Sequence, residues 1–247
     1  MKNLFKFMLG SAAIISVFHV GATICDQSDD RMFSAETRVG RLVSQVGGNG
    51  MCTATLIGPS CAITAGHCES VFNVLEFRVP MSTPSGRLVA SDPKFQYELD
   101  RNFVMKSYSS NGRDWAVLKF LPNSVTGYLP GDVQSWYSVS FANPPLGSTL
   151  RIVGYGTGQD EYRGVQRSHY GVLSDGGHWN RPVLTYRVDT MGGNSGSSIV
   201  DAQSGYIIGI HTNGGCHTKG GVNRGTSIAY NLELQQAIQA CIASERK

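Results

Sequence analysis

Three short segments hold side chains that together can activate a hydroxyl for attack on a carbonyl. In chain order they are Thr64-Ala65-Gly66-His67-Cys68, Asp114-Trp115-Ala116-Val117-Leu118 and Gly192-Gly193-Asn194-Ser195-Gly196-Ser197. A serine hydroxyl keeps its proton near neutral pH, so it needs a base in contact, usually imidazole. The imidazole needs a carboxylate on its other nitrogen, to hold tautomer and orientation and to stabilise the imidazolium that forms. The attacked carbonyl oxygen becomes an anion, so two donors must already face it. The backbone N–H groups of Gly193 and Ser195 are the candidates, and Gly196 lets the chain turn sharply with no Cβ to clash. Ser195 is therefore the expected nucleophile, His67 the base and Asp114 its orienter. Each segment alone has a plainer reading. His67 beside Cys68 fits a core histidine near a disulfide, Asp114 a turn residue, and residues 193–196 an ordinary loop.

Positioning such a set requires a framework, and the composition says which kind. The 247-residue chain is 41% hydrophobic and 16% charged, with 30 glycines. That balance excludes a solvated disordered chain, and the scarcity of helical stretches favours many short strands and tight turns. A formal charge of +3 is too small and too dispersed for a nucleic-acid binder. Apolar, β-branched runs at residues 53–57, 61–64, 115–121, 150–155, 183–188 and 206–211 suit strands. They lack intervening amphipathic helices, so a parallel α/β sheet is not expected. Turn-rich residues 122–145 read as a connector between two β-rich halves. A terminal helix is capped by Asn231, with Glu233 in its first turn and Leu234, Ile238, Cys241 and Ile242 on one face.

The first 22 residues read as a secretory signal peptide. Lys2 and Lys6 precede an apolar run from Phe7 to Val20, and Val20-Gly21-Ala22 offers a cleavage site. The run is short for a spanning helix. Export to an oxidising setting, secreted or periplasmic, makes the six cysteines a disulfide framework. No Cys-x-x-Cys pair is present, and no metal site is expected.

The three motifs, in the order His, Asp, Ser, resemble those of chymotrypsin-like serine proteases. The hydrolase elbow Gly-x-Ser-x-Gly is absent, because position 197 is Ser, and α/β-hydrolases order their triad differently. The resemblance implies an all-β fold of two six-stranded antiparallel β-barrels with the active site between them. Residues 23–128 would form the first barrel and 129–247 the second with its terminal helix. It also implies that Cys52 and Cys68 bracket His67 as a disulfide and that Cys61 bonds Cys241 on the C-terminal helix. Cys25–Cys216 then follows by elimination.

Within that family the chain is similar to the bacterial glutamyl endopeptidase branch. The matching segments are residues 189–197, Gly209-Ile210-His211-Thr212-Asn213-Gly214-Gly215, Asn223-Arg224-Gly225-Thr226 and Ser28-Asp29-Asp30-Arg31. This implies that Thr190 and His211 hold the carboxylate of the residue before the scissile bond. Thr212 and Gly214 would pair with substrate backbone, and Gly214 would leave the pocket entrance open. An imidazole with a neighbouring hydroxyl suits a carboxylate that has lost its hydration. Asp189 lies six residues before Ser195, where trypsin-like enzymes select Arg or Lys. That specificity is the alternative, and a non-catalytic binding module or an esterase are others. Asn194 stands where trypsin-like zymogens carry the aspartate that pairs with a new amino terminus. The branch instead brings its mature α-amino group to the pocket, which gives Thr23 a substrate-binding role here. The expected protein is a monomeric endopeptidase that acts on polypeptides after Glu or Asp. It is expected to need no cofactor, no nucleic acid and no membrane after signal removal.

Overall fold

The computed structural model describes residues 23–245, so the signal peptide assigned to residues 1–22 lies outside the described residues. A two-residue strand β1 (Met32–Phe33) leads into two barrels. The first comprises β2 (Val39–Val43), β3 (Met51–Leu56), β4 (Cys61–Thr64), β5 (Val74–Glu76), β6 (Gln96–Ser109) and β7 (Arg113–Phe120). Its strands close antiparallel in the order β2-β3-β4-β7-β6-β5. The second comprises β8 (Thr149–Tyr155), β9 (Gln166–Asp175), β10 (Val183–Arg187), β11 (Ser198–Asp201), β12 (Ile207–Asn213) and β13 (Asn223–Ser227). They form the ring β8-β9-β10-β13-β12-β11, which the β8–β9 pairing closes, and β1 pairs with β9. The connector between the barrels carries the short helix α1 (Pro130–Gln134), and α2 (Leu232–Ser244) ends the described chain.

Every apolar run named above coincides with a strand to within two residues at each end. β4 is buried along its whole length, as is β2. One side of each faces its barrel interior, and the other is covered by the neighbouring barrel, loops or α2. β6 is different: most of its 14 residues are exposed or half-buried, so periodicity gives no apolar run to read. β13 (Asn-Arg-Gly-Thr-Ser) has no large apolar residue at all, and its place in the sheet comes from pairing with β10 and β12.

A contiguous apolar core fills the first barrel and continues to Leu234, Ala237, Ile238 and Cys241 of α2. Leu150, Ile152, Leu173, Leu184, Tyr186, Val188, Ile199 and Ile208 fill the second barrel. The Asn231 side chain caps α2 by accepting from the Leu234 N–H at 3.1 Å. All six cysteines are bonded, as Cys52–Cys68, Cys61–Cys241 and Cys25–Cys216. The last ties a segment near the start of the described chain to a loop 191 residues away. The first barrel also encloses an ion pair. Arg41 and Glu76 sit opposite each other on β2 and β5, both fully buried, with Nη2 2.8 Å from Oε2. Glu76 Oε1 also accepts from the Ser91 N–H at 3.1 Å, and Arg41 donates to the Val89 carbonyl at 2.7 Å.

Candidate active site

His67 lies in a 3-10 turn (Gly66–Val71) that begins two residues after β4. Gly66 is required there, because a Cβ would stand 2.0 Å from the Ser107 carbonyl oxygen of β6. The Cys52–Cys68 disulfide pins the turn to β3. Asp114 opens β7, with its carboxylate buried and both oxygens aimed at His67. Oδ1 accepts from the His67 backbone N–H at 2.9 Å, and Oδ2 lies 2.6 Å from Nδ1. That leaves Nε2 facing Ser195, whose Oγ is 2.8 Å away. The three side chains therefore form one hydrogen-bonded row from positions 67, 114 and 195. The second barrel braces this row, since Thr226 Oγ1 donates to the Asp114 carbonyl at 2.8 Å.

Ser195 sits in the loop between β10 and β11, whose shape depends on glycine. Gly193 (φ +94°) and Gly196 (φ +87°) occupy the left-handed region. A Cβ on Gly196 would meet Thr64 Oγ1 at 2.1 Å and the Thr53 carbonyl at 2.2 Å. The Gly192 carbonyl accepts from the Thr157 N–H, and the Asn194 carbonyl accepts from the Ser197 N–H. In a trans peptide the N–H opposes the C=O. The N–H groups of Gly193 and Ser195 therefore point the other way, and neither has a hydrogen-bond acceptor among the described residues.

The Asn194 side chain is buried and acts as a brace for this loop. Its Oδ1 accepts from the Met191 N–H at 3.2 Å and from Arg31 Nη1 at 3.4 Å. Arg31 is itself 4% exposed and chelated by Asp29, with Nε 2.8 Å from Oδ1. Burial alone would raise the Asp29 carboxyl, but the Arg31 bonds and charge, with Arg167, hold it at about 2. A segment near the start of the described chain thus braces the loop through a guanidinium. The run Ser28-Asp29-Asp30-Arg31 carried no signal for that role beyond its likeness to other sequences.

Beside Ser195 opens a cavity of about 440 Å³, lined by Thr23, Met191, Gly192, His211, Thr212, Asn213 and Gly214 among others. His211, on β12, is 3% exposed, and its Nδ1 is 2.6 Å from the Tyr186 hydroxyl. Tyr186 also reaches the Arg224 carbonyl at 3.0 Å. Burial, then neighbouring His67, pushes the His211 pKa down to about 3, so the ring is neutral at pH 7. Thr190 is fully buried, and its hydroxyl lies 2.6 Å from the Thr23 hydroxyl. Thr23 and Thr190 also exchange backbone hydrogen bonds as an antiparallel bridge. Gly214 serves this approach as well as the opening, because a Cβ there would stand 1.9 Å from Thr23 Cγ2.

Two buried residues that hold the cavity wall from behind lie outside the set proposed from sequence. Tyr186 is one, hidden in what reads as a plain core strand. Asn223 is the other. Fully buried, its amide reaches the Thr23 carbonyl at 3.0 Å and the Val188 carbonyl at 2.8 Å. Its Oδ1 accepts from the Gly215 and Cys216 N–H groups at 2.9 and 3.0 Å.

Asp189 departs from the trypsin-like alternative. It is 2% exposed and does not line the cavity. Its Oδ1 accepts from the Cys25 N–H at 2.7 Å, so the carboxylate is engaged by the segment that carries Thr23. Burial raises its pKa, and the adjacent Asp30 carboxyl adds to the rise against the Cys25 bond. Asp30, His169 and Asp189 place ligand-type atoms within 4.8 Å of one another. The Asp189 N–H donates to His169 Nδ1 at 2.8 Å, however. That puts the ring proton on Nε2, 3.0 Å from Asp30, where a metal ligand would need a lone pair.

Comparison with known proteins agrees with the fold. The trypsin family's sequence pattern matches residues 33–232. The glutamyl endopeptidase of Bacillus licheniformis is 28% identical over 187 residues, which cover 72% of this chain and 56% of the relative. The chain thus spans little more than half of that protein's length. Among solved structures, a Glu endopeptidase in complex with MPD superposes with a TM-score of 0.63 at 21% identity, covering 89% of this chain and 100% of that one. The protease Anisep from Arthrobacter nicotinovorans gives 0.64 at 16% identity, over 86% of this chain and 99% of the other.

Proposed function

Because the chain belongs to the trypsin family, we propose that it is an exported serine endopeptidase that cleaves polypeptides after Glu, with Asp as the lesser substrate. The observation that carries the reading is the row from Asp114 through His67 to Ser195 Oγ, with its 2.6 and 2.8 Å spacings, in a loop whose Gly193 and Ser195 N–H groups are left without an acceptor among the described residues. Ser195 Oγ attacks the carbonyl while Nε2 of His67 takes its proton. Asp114 holds Nδ1 and stabilises the imidazolium. The N–H groups of Gly193 and Ser195 receive the oxyanion. Collapse of the tetrahedral intermediate expels the amine, which takes the proton from His67, and water repeats the sequence on the acyl-enzyme.

The preference for Glu rests on the cavity beside Ser195. A carboxylate entering it meets His211, while Thr190 lies fully buried against the Thr23 hydroxyl rather than in the lining, and no acidic side chain lines its wall. His211 arrives uncharged, so a full positive charge must come from elsewhere or be taken up with the substrate. Signal cleavage after Ala22 would make Thr23 the first residue and place its α-ammonium at this cavity. The disulfide framework fits an oxidising compartment. Among the described residues no helix is long and apolar enough to cross a membrane.

Chromogenic peptides differing only in the residue before the scissile bond (Glu, Gln, Asp, Arg) test the reading. The mature protein should hydrolyse the Glu peptide fastest, and Ser195→Ala should lose at least about 10⁴-fold in kcat. Retained activity in Ser195→Ala, or faster cleavage after Arg, would overturn it. Adding a few residues before Thr23 should sharply weaken cleavage after Glu and leave cleavage after Gln little changed.

A further inference from the structure

A larger cavity, of about 730 Å³, shares Thr212, Asn213 and Gly214 with the first but is not lined by His211. The tip of the β6–β7 hairpin (Tyr108 to Gly112) forms one wall, and Asn213, Arg224 and Arg181 form the other. Asn213 and Arg224 are directly paired across β12 and β13. Arg224 is exposed, and its guanidinium has neither an ion-pair nor a hydrogen-bond partner among the described residues. Arg181 is half exposed and only loosely paired, 3.9 Å from Asp175. The carboxylate of Asp114 borders the cavity but is engaged by His67. The site is thus a polar recess with one free and one half-free guanidinium.

We propose that this recess is a second specificity site, in which Arg224, assisted by Arg181, binds an acidic side chain one or three residues upstream of the residue held at His211. The inference rests on the proposed protease reading, in which substrate lies extended along Thr212–Gly214. Side chains of an extended peptide alternate between its two faces. The residue before the scissile bond turns into the His211 cavity. The second and fourth residues upstream of the cut therefore turn to the opposite face, toward Tyr108, Asn213 and Arg224. A guanidinium with all its donors free offers a carboxylate a bidentate partner, and at a solvated site that attraction weakens with salt. The enzyme would then read two acidic positions with two chemically different devices, one a buried imidazole and one an exposed cation.

Internally quenched peptides test this. The base peptide carries whichever of Glu, Asp, Arg or Phe is cleaved fastest, so that an unexpected primary preference does not mask the result. Glu, Gln or Lys is then placed at the second or fourth upstream position. The expected kcat/KM ratio of Glu to Gln is about fivefold at low salt, shrinking toward unity at high salt. Arg224→Gln should bring the ratio near unity, and Arg224→Glu should reverse it in favour of Lys, which a merely structural arginine would not do. Equilibrium binding of the same peptides to Ser195→Ala gives the comparison without turnover. Equal handling of Glu, Gln and Lys by the unaltered protein, or a Glu preference that survives Arg224→Gln with Arg181→Gln, would overturn the proposal. Discrimination in binding with no hydrolysis of any peptide would instead overturn the protease reading and leave the recess intact.

Discussion

An imidazole held neutral by burial lines the cavity beside Ser195, and under the proposed preference for Glu this sets a pH response. A substrate carboxylate beside Nε2 favours the charged ring, so binding pulls the His211 pKa up from about 3. An α-ammonium at Thr23, with an ordinary pKa of about 7.7–8.0, would share the load. The kcat/KM ratio for Glu over Gln peptides should therefore be highest near pH 6–7. It should fall below about pH 5 as the substrate carboxyl protonates, and above about pH 8 as the amine loses its charge. A flat ratio across pH 5–9 would show that neither group carries the selectivity. The Tyr186 hydroxyl has a single proton, shared between contacts to His211 Nδ1 and the Arg224 carbonyl. Tyr186→Phe leaves that buried nitrogen without a partner. It should raise KM for Glu peptides by about tenfold with little change for Gln peptides, as steady-state kinetics would show.

The strands hold the site by a few long-range ties, and each predicts a measurable loss. Arg41 and Glu76 face each other on β2 and β5 with no exposure to solvent. Glu76→Ala would strand a buried guanidinium and should cost about 3–5 kcal/mol by urea unfolding. An apolar pair of similar volume at both positions should recover most of it. Cys25–Cys216 anchors the segment that carries Thr23 to the loop that walls the pocket. Replacing both with Ser should destabilise by about 2–5 kcal/mol. KM for Glu peptides should rise more than kcat falls, because the loss falls on the pocket while the row of His67, Asp114 and Ser195 keeps its own Cys52–Cys68 brace. An equal effect on Glu and Gln peptides would remove the N-terminal segment from substrate recognition.

Across the whole molecule the two barrels act as jaws that share one site. Asp114 and His67 come from the first and Ser195 and His211 from the second, tied by Thr226 to Asp114 and by the Thr53 N–H to the Ser195 carbonyl. Acid should open this assembly in two stages. His211 is depressed to about 3, so between the ordinary histidine value near 6.5 and 3 the unfolded chain binds a proton that the folded one does not. Stability falls as pH drops through that window. Glu36 would be raised by burial, but Arg38 and Tyr137 hold it at about 2, and Asp29 is likewise held at about 2. Their contribution is complete above the ordinary carboxylate range and is lost as pH falls toward 2. Urea midpoints taken from pH 7 to pH 2 should decline through both windows. Glu36→Gln should flatten only the lower one.

The two-barrel arrangement and the place of His211 followed from the family resemblance. The row of His67, Asp114 and Ser195 and the cap of α2 were legible in the order of residues, each announced by a local cluster: a histidine beside a cysteine, an aspartate opening an apolar strand, a serine among glycines, an asparagine before a helical face. The direction of Asp189, the brace made by Arg31 and Asn194, the reach of Asn223 and the contact between Tyr186 and His211 were not. Asp189 faces Cys25, 164 residues away in the chain, and Arg31 meets Asn194 at a separation of 163. Chemistry at a single residue follows from its side chain and near neighbours. Which way a buried polar side chain turns depends on the donors that distant strands bring to it, and only closure of the two barrels supplies them.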